Sequence, residues 1–460
     1  MERLDKIFKA YDIRGVYRQD LDENTAWKVG YASAQFLRTL LSGYDRGQAS
    51  ANRLVIGRDM RPHGEGLTRS LIEGVLAGGL SCANLGQIDT PMIYFAINHL
   101  GACGGIQVTA SHNPIQYNGF KISGQKARPV GSQTGLKEIQ HIVSTMRRTQ
   151  THSGAVEAQE VNLWPEYRRH VQGFLHLDRP LKVAIDASNG MAGKMVPLVL
   201  EGSAMEVVPL NFQIGVDFAH DPNPLIEANL RQLQQAVTDN AVDFGVCFDG
   251  DADRCMFVDE TGRIVRSDHI TALLARHFLR LHPGSTVVYD LRSSRVVPEE
   301  IRAAGGVTRR ERVGHAFMKK ALADTHAIFG GELSGHFYFR DNYNADSGAI
   351  VLAVVASVVS GQDHPFSELI APLKRYVQSG EINFKVEDKP ARMEELAALF
   401  PDGRIDRLDG VTVDFADWWF NVRASNTEPL LRLNVEAANE QQLDDKLKQI
   451  EEVLGQPVEE

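Results

Sequence analysis

The run RLVIGRD at residues 53–59 is an apolar, β-branched segment that ends in an aspartate, and the chain repeats this pattern twice. The other two runs are LKVAIDASNG at residues 181–190 and GSTVVYDLRSSR at residues 284–295. The aspartates that mark the repeat are Asp59, Asp186 and Asp290. Each is followed within a few residues by Arg, Ser or Gly and then by a helix-like segment, which is typical of βαβ units. The pattern predicts three copies of one α/β element.

Each of the three runs has a partner further along the chain, an apolar run that stops at a polar loop containing glycine. The partners are GGIQVTASHNP at residues 104–114, VDFGVCFDGDADR at residues 242–254 and HAIFGGELSGH at residues 326–336. Apolar runs separated by segments of helical period indicate largely parallel sheets. The sequence therefore predicts an α/β fold with three related, mixed α/β domains in series.

The C-terminal part follows a different pattern. WWFNVRASNTEPLLRLNVEA consists of two strand-like runs around a polar loop, and EQQLDDKLKQIEEVL is helix-like, which predicts a smaller α+β domain. We place the four domains at residues 1–150, 151–260, 261–370 and 371–460. If ligands bind at the carboxyl ends of strands in such sheets, all four polar loops could converge.

The composition excludes several classes of protein. The 460 residues are 43% hydrophobic, 23% charged and 8% aromatic, which is typical of a globular chain and not of a disordered or fibrous one. A net charge of −10 argues against a general nucleic-acid binder. The first residues lack the apolar core of a signal peptide, and no stretch approaches the ~20 apolar residues of a membrane span. We expect a cytoplasmic protein with no nucleic-acid and no membrane partner.

The four cysteines, Cys82, Cys103, Cys247 and Cys255, form no CxxC pair and show no metal-type spacing with histidine. This spacing predicts reduced, mostly buried thiols with a structural role.

The first polar loop, VTASHNP at residues 108–114 and called the serine loop below, places Ser111 beside His112. The G-x-S-x-G elbow of an α/β-hydrolase is missing, and adjacent side chains point apart in extended or helical backbone, which disfavours a Ser-His pair. Two hypotheses stay open: Ser111 or Asn113 caps a helix, or Ser111 carries phosphate. Lys121, ten residues after Ser111, favours the second because it can bring a cation to the phosphate.

The second loop, DGDADR at residues 249–254 and called the aspartate loop, holds Asp249, Asp251 and Asp253 at alternate positions. In extended backbone this spacing puts three carboxylates on one side, where they suit Mg²⁺. An EF-hand is excluded because Arg254 stands where the calcium loop needs glycine and because the flanks are strand-like. We predict a metal site, with Arg254 positioned to steer a phosphate to it.

The third loop, GGELSGH at residues 330–336 and called the glutamate loop, holds Glu332, Ser334 and His336 at alternate positions. Glu332 and Ser334 could bind two neighbouring hydroxyls of a polyol, while an ordinary turn explains the loop equally well.

The fourth loop, RASNTEP at residues 423–429 and called the arginine loop, holds Arg423, Ser425, Asn426 and Thr427 between two strand-like runs. A guanidinium with several short donors can bind phosphate, although such residues also form ordinary turns. The chain contains neither a G-x-x-x-x-G-K-[ST] loop nor a G-x-G-x-x-G fingerprint, so nucleotide kinases and dinucleotide oxidoreductases lack support.

TASHNP, DGDADR, GELSGH and RASNTEP, with KAYDIRG at residues 9–15, together resemble the motifs of the alpha-D-phosphohexomutase superfamily, in particular its bacterial phosphomannomutase/phosphoglucomutase group. They stand in the family's order over nearly the whole chain. The resemblance implies four domains around a deep cleft and an isomerase that interconverts hexose 1-phosphates and hexose 6-phosphates, of mannose and also of glucose.

The resemblance also implies a mechanism. Ser111 is phosphorylated in the active enzyme, and Mg²⁺ is held by Asp249, Asp251, Asp253 and an oxygen of that phosphoserine. The phosphoryl group passes to the sugar, the resulting 1,6-bisphosphate reorients, and its other phosphate returns to Ser111. Glucose 1,6-bisphosphate, or the mannose compound, would act as activator.

Further roles follow from motif position in the family. Lys121, Arg254 and His112 would act near the phosphoserine, and Arg14, His315 and Tyr11 would lie in the cleft. The sugar hydroxyls would be held by Glu332 and Ser334, with His336 close by. The phosphate would be bound by Arg423, Ser425, Asn426 and Thr427. None of these residues would contact the sugar's 2-position, where glucose and mannose differ. This predicts dual specificity for mannose and glucose.

Two positions depart from the family pattern. Leu333 stands where we associate Met with the mannose/glucose group and Gln with the glucosamine group, which favours the former. Arg292, which we place among the substrate-binding residues, stands where the bacterial enzymes often have Lys. A phosphoglucosamine mutase and a sugar-phosphate-binding protein without turnover are the alternatives. We expect sugar phosphates as the only partners and a monomer or weak dimer.

Overall fold

The computed structural model describes residues 2–41, 50–146, 158–215, 217–425 and 430–458. It contains two compact units. The first unit consists of Met1–Val265 with Ser334–Ser367, and the second consists of Arg266–Leu333 with Glu368–Glu460. The domain boundaries predicted from the sequence stay a prediction.

The first sheet of the first unit has six strands among the described residues. In spatial order they are Ile13–Val16, Tyr117–Gly124, Gly104–Val108, Arg53–Arg58, Ser81–Gln87 and Ala158–Glu160. Arg53–Arg58 is central and pairs in parallel with both of its neighbours. The accompanying helices are Glu2–Ile7, Glu23–Thr39, Gly64–Ala77, Thr90–His99 and Leu136–Thr145, with 3₁₀ turns at Ser50–Asn52 and Gln125–Ala127.

The second sheet of this unit repeats the arrangement. Its strands in spatial order are Ile264–Val265, Cys255–Asp259, Phe244–Phe248, Leu181–Asp186 and Met205–Leu210. Leu181–Asp186 again pairs in parallel on both sides, while Phe244–Phe248 and Cys255–Asp259 form an antiparallel hairpin. The accompanying helices are Trp164–Gln172, Ala192–Val199 and Arg231–Asn240, with a 3₁₀ turn at Glu227–Leu230.

The chain returns to the first unit at residue 334 and adds a short hairpin and a buried helix. The hairpin strands are Phe337–Phe339 and Ala345–Asp346, with a 3₁₀ turn at Arg340–Asn342. The helix Gly348–Ser360, GAIVLAVVASVVS, is apolar around most of its circumference and almost wholly buried, as such a composition requires. In the part of the chain that is described, every helix is too short or too polar to cross a membrane.

The second unit begins with the third copy of the α/β element. Thr286–Asp290 pairs in parallel with Val307–Glu311 on one side and with Phe329–Gly331 on the other. The accompanying helices are Ser267–Leu281, Val296–Ala303 and His315–Thr325. The short helix Phe366–Ile370 contains the last chain boundary between the units, and a 3₁₀ turn at Ala371–Leu373 follows it.

The C-terminal sheet is antiparallel throughout. Its strands in spatial order are Val377–Phe384, Leu431–Ala437, Trp418–Ala424, Val411–Asp414 and Arg404–Asp406. The helices Lys389–Leu399 and Glu440–Leu454 accompany it, and apolar residues of the sheet and both helices form one core. The predicted fold class, three related α/β domains and a smaller α+β domain, is confirmed.

The repeat extends to the turn after each central strand. Each marker aspartate accepts a hydrogen bond from the backbone N–H two residues later: Arg61 donates to Asp59 at 3.0 Å, Ser188 to Asp186 at 2.9 Å and Arg292 to Asp290 at 2.7 Å. Aspartate stabilises turns by this bond. The predicted partner strands are confirmed as well, since each pairs in parallel beside its central strand. The four cysteines are free and buried, as expected.

Two helices of the first unit, Glu23–Thr39 and Gly64–Ala77, approach so closely that glycine is required at the contact. A Cβ on Gly74 would lie 2.0 Å from the carbonyl oxygen of Trp27, and one on Gly30 would lie 2.2 Å from that of Leu71. The obstacle is backbone, which cannot rotate away as a side chain can.

We therefore expect Gly74→Ala to destabilise the protein by about 2–4 kcal/mol, because overpacking forces the helices apart. Gly66→Ala on the same helix is the matched control, since its Cβ would meet only the tip of the Glu23 side chain at 3.2 Å. This control should be neutral or stabilising by up to about 1 kcal/mol. Urea unfolding of both variants measures the difference, and equal midpoints would contradict the expectation.

Candidate active site

Ser111 is held in a buried turn with its hydroxyl directed at a carboxylate. Its backbone is left-handed, with φ at +51°, and the residue is 3% exposed. The hydroxyl Oγ donates to Oδ2 of Asp249 at 2.9 Å. The backbone N–H of Ser111 donates to Oγ1 of Thr109 at 2.9 Å, and that hydroxyl donates to Oδ2 of Asp59 at 2.7 Å. The marker aspartate of the first repeat thus supports the serine loop.

Arg61 fixes the rest of this loop. Its guanidinium is buried, and its Nε donates to Oδ2 of Asp59 at 3.1 Å. Its two other nitrogens donate to four backbone carbonyls: Ser111 at 3.0 Å, Asn113 at 2.6 Å, Pro114 at 2.6 Å and Tyr117 at 2.9 Å. The planar fork of arginine can serve several acceptors at once. One side chain therefore satisfies backbone groups along the whole turn.

The structure excludes one of the two open hypotheses about the serine loop and shows one expectation about it to be wrong. The residues after Ser111 form a turn that leads into the strand Tyr117–Gly124, so neither Ser111 nor Asn113 caps a helix. The side chains of Ser111 and His112 do not point apart, because the left-handed backbone brings Nδ1 of His112 to 3.3 Å from the serine Oγ. A Ser-His pair is still disfavoured, since Arg254 donates to Nδ1 and the serine proton points to Asp249.

The aspartate loop brings three carboxylates together, as predicted, but by a different backbone. Ligand oxygens of Asp249, Asp251 and Asp253 lie within 4.8 Å of one another. The loop is a turn with Ala252 at φ +59°, not an extended segment, because it must reverse the chain between two antiparallel strands. Those flanking strands agree with the exclusion of an EF-hand.

Two cations compensate these carboxylates. Nζ of Lys121 donates to Asp251 at 2.7 Å and to Asp253 at 2.5 Å, and Nε of Arg254 donates to Asp249 at 3.0 Å. Burial alone would raise the pKa of Asp253, but Lys121 holds it at about 2. Burial, and then the neighbouring Asp253, raises the pKa of Asp249 to about 8. Burial, together with Arg254, lowers the pKa of His112 well below its ordinary value, so the imidazole is neutral.

A divalent cation fits this donor set. Oδ1 of Asp251 and Oδ1 of Asp253 are buried and have no hydrogen-bond partner among the described residues. Buried carboxylate oxygens without a donor are costly, and hard oxygen ligands suit Mg²⁺. The aspartate loop also lies directly against the serine loop, because a Cβ on Gly250 would be 2.4 Å from the carbonyl oxygen of Ser111.

The glutamate loop is divided between the two units. In the first unit, Nδ1 of His336 lies 3.0 Å from Oγ of Ser334, and its Nε2 lies 3.6 Å from Oδ1 of Asp253. His336 is therefore adjacent to Asp253 of the aspartate loop. In the second unit, Oε1 of Glu332 accepts a bond from the backbone N–H of Gly314 at 2.9 Å.

The arginine loop is described only in part, since Asn426 and Thr427 lie outside the described residues. Arg423 is the penultimate residue of the strand Trp418–Ala424. Its side chain is 3% exposed and donates through Nη2 to Glu381 at 2.8 Å. The backbone N–H of Ser425 donates to the carbonyl of Leu430 at 2.9 Å. Arg292 is buried and bonded to Asp290 at 2.9 Å, and it lies 3.4 Å from Glu381.

Three further predicted residues lie near the beginnings of secondary-structure elements. Tyr11 is half-buried just before the strand Ile13–Val16, and Arg14 within that strand donates to Asn113 of the serine loop. His315 is the first residue of the helix His315–Thr325. Arg14 is thus joined to the serine loop by contact, while His315 belongs to the second unit.

Several residues that support these loops were missed by the sequence analysis. Arg61 and Glu381 are described above, and Thr90 donates to Oδ2 of Asp251 at 2.5 Å. For Arg61 a signal was present: an arginine follows the marker aspartate by two positions both at Asp59 and at Asp290. Thr90 and Glu381 lie far in sequence from the loops they contact, and no local pattern marks them.

Four domain profiles match consecutive parts of the chain. They are described as Phosphoglucomutase/phosphomannomutase, alpha/beta/alpha domain I, matching residues 5–150; domain II, residues 165–262; domain III, residues 266–376; and the C-terminal domain, residues 381–453.

Similar proteins cover nearly the whole chain. A phosphohexose mutase of Xanthomonas campestris is 38% identical over 93% of this chain and 94% of its own. A phosphomannomutase of Escherichia coli K12 is 36% identical over 94% of each chain. The crystal structure of a phosphoglucomutase/phosphomannomutase family protein from Burkholderia thailandensis superposes with a TM-score of 0.87 at 29% identity and covers 97% of each chain.

The contacts of Arg61 give a prediction for the serine loop. Arg61→Lys keeps the charge opposite Asp59 but replaces a planar fork by a point donor that cannot reach four carbonyls. Because buried acceptors lose their partners, we expect a loss of about 2–4 kcal/mol in stability. We also expect faster amide exchange in residues 111–117, measured by hydrogen–deuterium exchange. Arg69→Lys, an exposed change in the same domain, is the control. Unchanged exchange in the serine loop would show that Arg61 does not fix it.

Proposed function

The chain belongs to the phosphoglucomutase/phosphomannomutase family and is a phosphohexomutase, and from this premise we propose that it works through a phosphorylated Ser111. The substrates are hexose 1-phosphates and hexose 6-phosphates, of mannose and of glucose, and the intermediate is a 1,6-bisphosphate. The observation that carries the proposal is the position of the Ser111 hydroxyl. It lies 2.9 Å from one of three clustered carboxylates, with Lys121 and Arg254 bonded to the same cluster.

The charges around Ser111 support a bound divalent cation. Three carboxylates against Lys121 and Arg254 leave about one negative charge when all are ionised. Phosphoserine adds roughly two more, and such a concentration of buried negative charge is unstable without compensation. Mg²⁺ held by Asp249, Asp251, Asp253 and a phosphoserine oxygen would neutralise charge on the transferring group.

The chain's own residues supply the remaining chemistry of each half-reaction. The bond between phosphorus and Oγ of Ser111 breaks as a bond from phosphorus to the sugar hydroxyl oxygen forms, and the proton of that hydroxyl ends on Oγ of Ser111, which restores the serine hydroxyl. Lys121 and Arg254 oppose the negative charge, and neutral His112 lies at the serine oxygen without adding charge of its own. The second half-reaction is the reverse transfer from the other phosphate of the intermediate. Positioning and electrostatics account for most of the catalysis in such transfers.

Binding of the sugar and of the phosphate that is not transferred is assigned to the other loops. Glu332 and Ser334, with His336 close to Ser334, would hold ring hydroxyls, and Arg423 with Ser425, Asn426 and Thr427 would hold the phosphate. Arg292, Tyr11, Arg14 and His315 would complete the binding residues. Leu333 at the position associated with Met or Gln favours mannose and glucose over glucosamine as the sugar.

Mg²⁺ binding to the apoprotein provides one test. Because the pKa of Asp249 is raised to about 8, this carboxyl is mostly protonated at pH 7, and the metal must displace the proton. We therefore expect Mg²⁺ affinity to rise with pH between about 6.5 and 8 and binding to release up to about one proton. Calorimetry in two buffers of different ionisation enthalpy measures both.

Asp251→Asn should weaken Mg²⁺ binding at least about tenfold, since it removes a charged ligand. Asp324→Asn, an exposed carboxylate paired with Lys320, is the control and should bind like the wild type. Equal Mg²⁺ affinity of wild type and Asp251→Asn would place the metal elsewhere.

Turnover by Ser111→Ala tests the phosphoserine itself. Coupled assays with mannose 1-phosphate and glucose 1-phosphate, in the presence of Mg²⁺ and catalytic glucose 1,6-bisphosphate, should show a loss of about 10³-fold or more, because the covalent carrier is gone. Ser144→Ala, an exposed change in the same domain, should keep full activity. Undiminished turnover of Ser111→Ala would reject the mechanism. Activity of the wild type on glucosamine phosphates alone would change the substrate.

A further inference from the structure

Three arginines of the second unit meet at one carboxylate, that of Glu381. Nη2 of Arg423 donates to Oε2 of Glu381 at 2.8 Å, and Nη1 of Arg432 donates to Oε1 at 2.9 Å. Nη1 of Arg292 lies 3.4 Å from Oε2. Each oxygen of Glu381 therefore serves a different strand arginine, and Glu381 contacts the residue that begins the arginine loop.

A backbone irregularity directs Glu381 at this cluster. The pairing register between Val377–Phe384 and Leu431–Ala437 shifts between Gln378 and Glu381, and Gly380 has φ at +72°. A bulge bends a strand and redirects a side chain, and glycine adopts this φ without a steric penalty. The position of Glu381 is therefore built into the sheet.

The cluster needs a negative charge. Arg423 and Arg432 are direct cross-strand neighbours, and like charges in that position destabilise a sheet. Burial alone would raise the pKa of Glu381, but Arg292, Arg423 and Arg432 hold it at about 2. The carboxylate is thus ionised throughout the neutral range. Burial, and then the charge of Arg292, lowers the pKa of Arg423, so Glu381 also helps to keep this guanidinium charged.

One donor of Arg423 has no acceptor in the part of the chain that is described. Its Nε is buried and has no hydrogen-bond partner among the described residues. A buried N–H without an acceptor is costly, and an anion would remove that cost. Nη2 is bonded to Glu381 and Nε is not, so a phosphate at Nε and the carboxylate at Nη2 would share one guanidinium.

We propose that Glu381 is the charge-balancing residue of the arginine loop, and that it weakens the hold of Arg423 on a sugar phosphate enough for the phosphate to be released. This inference rests on the proposed function, in which a bisphosphate must leave the loop and return with its other end. Binding that is equally tight at every stage does not speed a reaction. Three guanidiniums without a carboxylate would bind a phosphate dianion tightly and delay its reorientation.

Glu381→Gln keeps the shape of the side chain and removes its charge. We expect the full-length variant to bind inorganic phosphate at least fivefold more tightly, measured by calorimetry, because one repulsive charge is gone. KM and kcat for glucose 1-phosphate should both fall, since tighter binding slows release. Glu394→Gln, an exposed carboxylate paired with Arg407 in the same unit, is the matched control and should change neither value.

A charge-matched double variant separates charge from positioning. Glu381→Gln with Arg432→Gln has the net charge of the wild-type cluster, so phosphate affinity should return to within twofold of the wild type. If Glu381 only held Arg423 in place, the double variant would stay as altered as the single one. Should Glu381→Gln alone fail to fold, Arg432→Gln with and without Glu381→Gln gives the same comparison, and the pair should differ at least fivefold.

An Arg423→Gln background shows whether the phosphate is bound at this loop. There, adding Glu381→Gln should no longer tighten phosphate binding. Equal or weaker phosphate binding by a folded Glu381→Gln variant would overturn the inference. Calorimetry needs no turnover, so tightened phosphate binding without mutase activity would reject the proposed function alone. Mutase activity with unchanged phosphate affinity would reject only the role of Glu381.

Discussion

A buried ion pair between Asp59 and Arg61 determines the conformation of the serine loop. Both side chains are inaccessible to solvent, and Nε of Arg61 bonds the carboxylate at 3.1 Å. Such a pair is sustained only if the remaining donors and acceptors are satisfied. Arg61 meets this condition with four backbone carbonyls, and Asp59 meets it with Thr109 and the N–H of Arg61. The turn around Ser111 is therefore the structure in which this pair can be buried.

The aspartate loop is also a buried cluster of charged groups, but its negative charges outnumber its positive charges. Three buried carboxylates meet two cations, and two of their oxygens have no donor within the described residues. Burial, and then the neighbouring Asp253, raises the pKa of Asp249, the carboxylate bonded to Ser111, to about 8. Ser111 thus faces the group whose charge is least stable. A cation beside it would restore the charge of Asp249 and favour a phosphate on Ser111, so metal and phosphoserine are expected to stabilise each other.

The sequence predicted the features that depend on local pattern. Apolar runs ending in Asp59, Asp186 and Asp290 identified the central strands and their partners. This was possible because the burial of a strand and the type of turn that follows it depend on residues adjacent in the sequence. The sequence failed where the backbone departs from a regular element. Ser111 and Ala252 are left-handed, and no rule of spacing gives a positive φ to serine or alanine. Contacts such as Thr90 with Asp251 or Glu381 with Arg423 join residues distant in the chain, and only the fold brings them together.

The repeated aspartate turn explains why each polar loop lies next to the end of the central strand of its sheet. In each copy the turn after the central strand forms a hydrogen bond with the loop that follows the neighbouring strand or with the last residue of that strand. Asp59 and Arg61 hold the serine loop, Oγ of Ser188 donates to the carbonyl of Phe248 at 2.6 Å just before the aspartate loop, and Oδ2 of Asp290 accepts from the N–H of Leu333 in the glutamate loop at 2.7 Å.

The residue two positions after the aspartate is where the copies differ. Arg61 donates mainly to backbone carbonyls and has a structural role. Ser188 donates one short hydrogen bond to a carbonyl. Arg292 bonds Asp290 and also reaches Glu381. The aspartate turn is thus the same in all three copies, while the side chain two positions after the aspartate determines which groups the turn contacts. Because Arg292 donates to Asp290 through both Nε and Nη2 and reaches Glu381 through Nη1, its guanidinium is largely committed to these two carboxylates. As one of the proposed binding residues, Arg292 would therefore act on a phosphate partly through the Glu381 cluster.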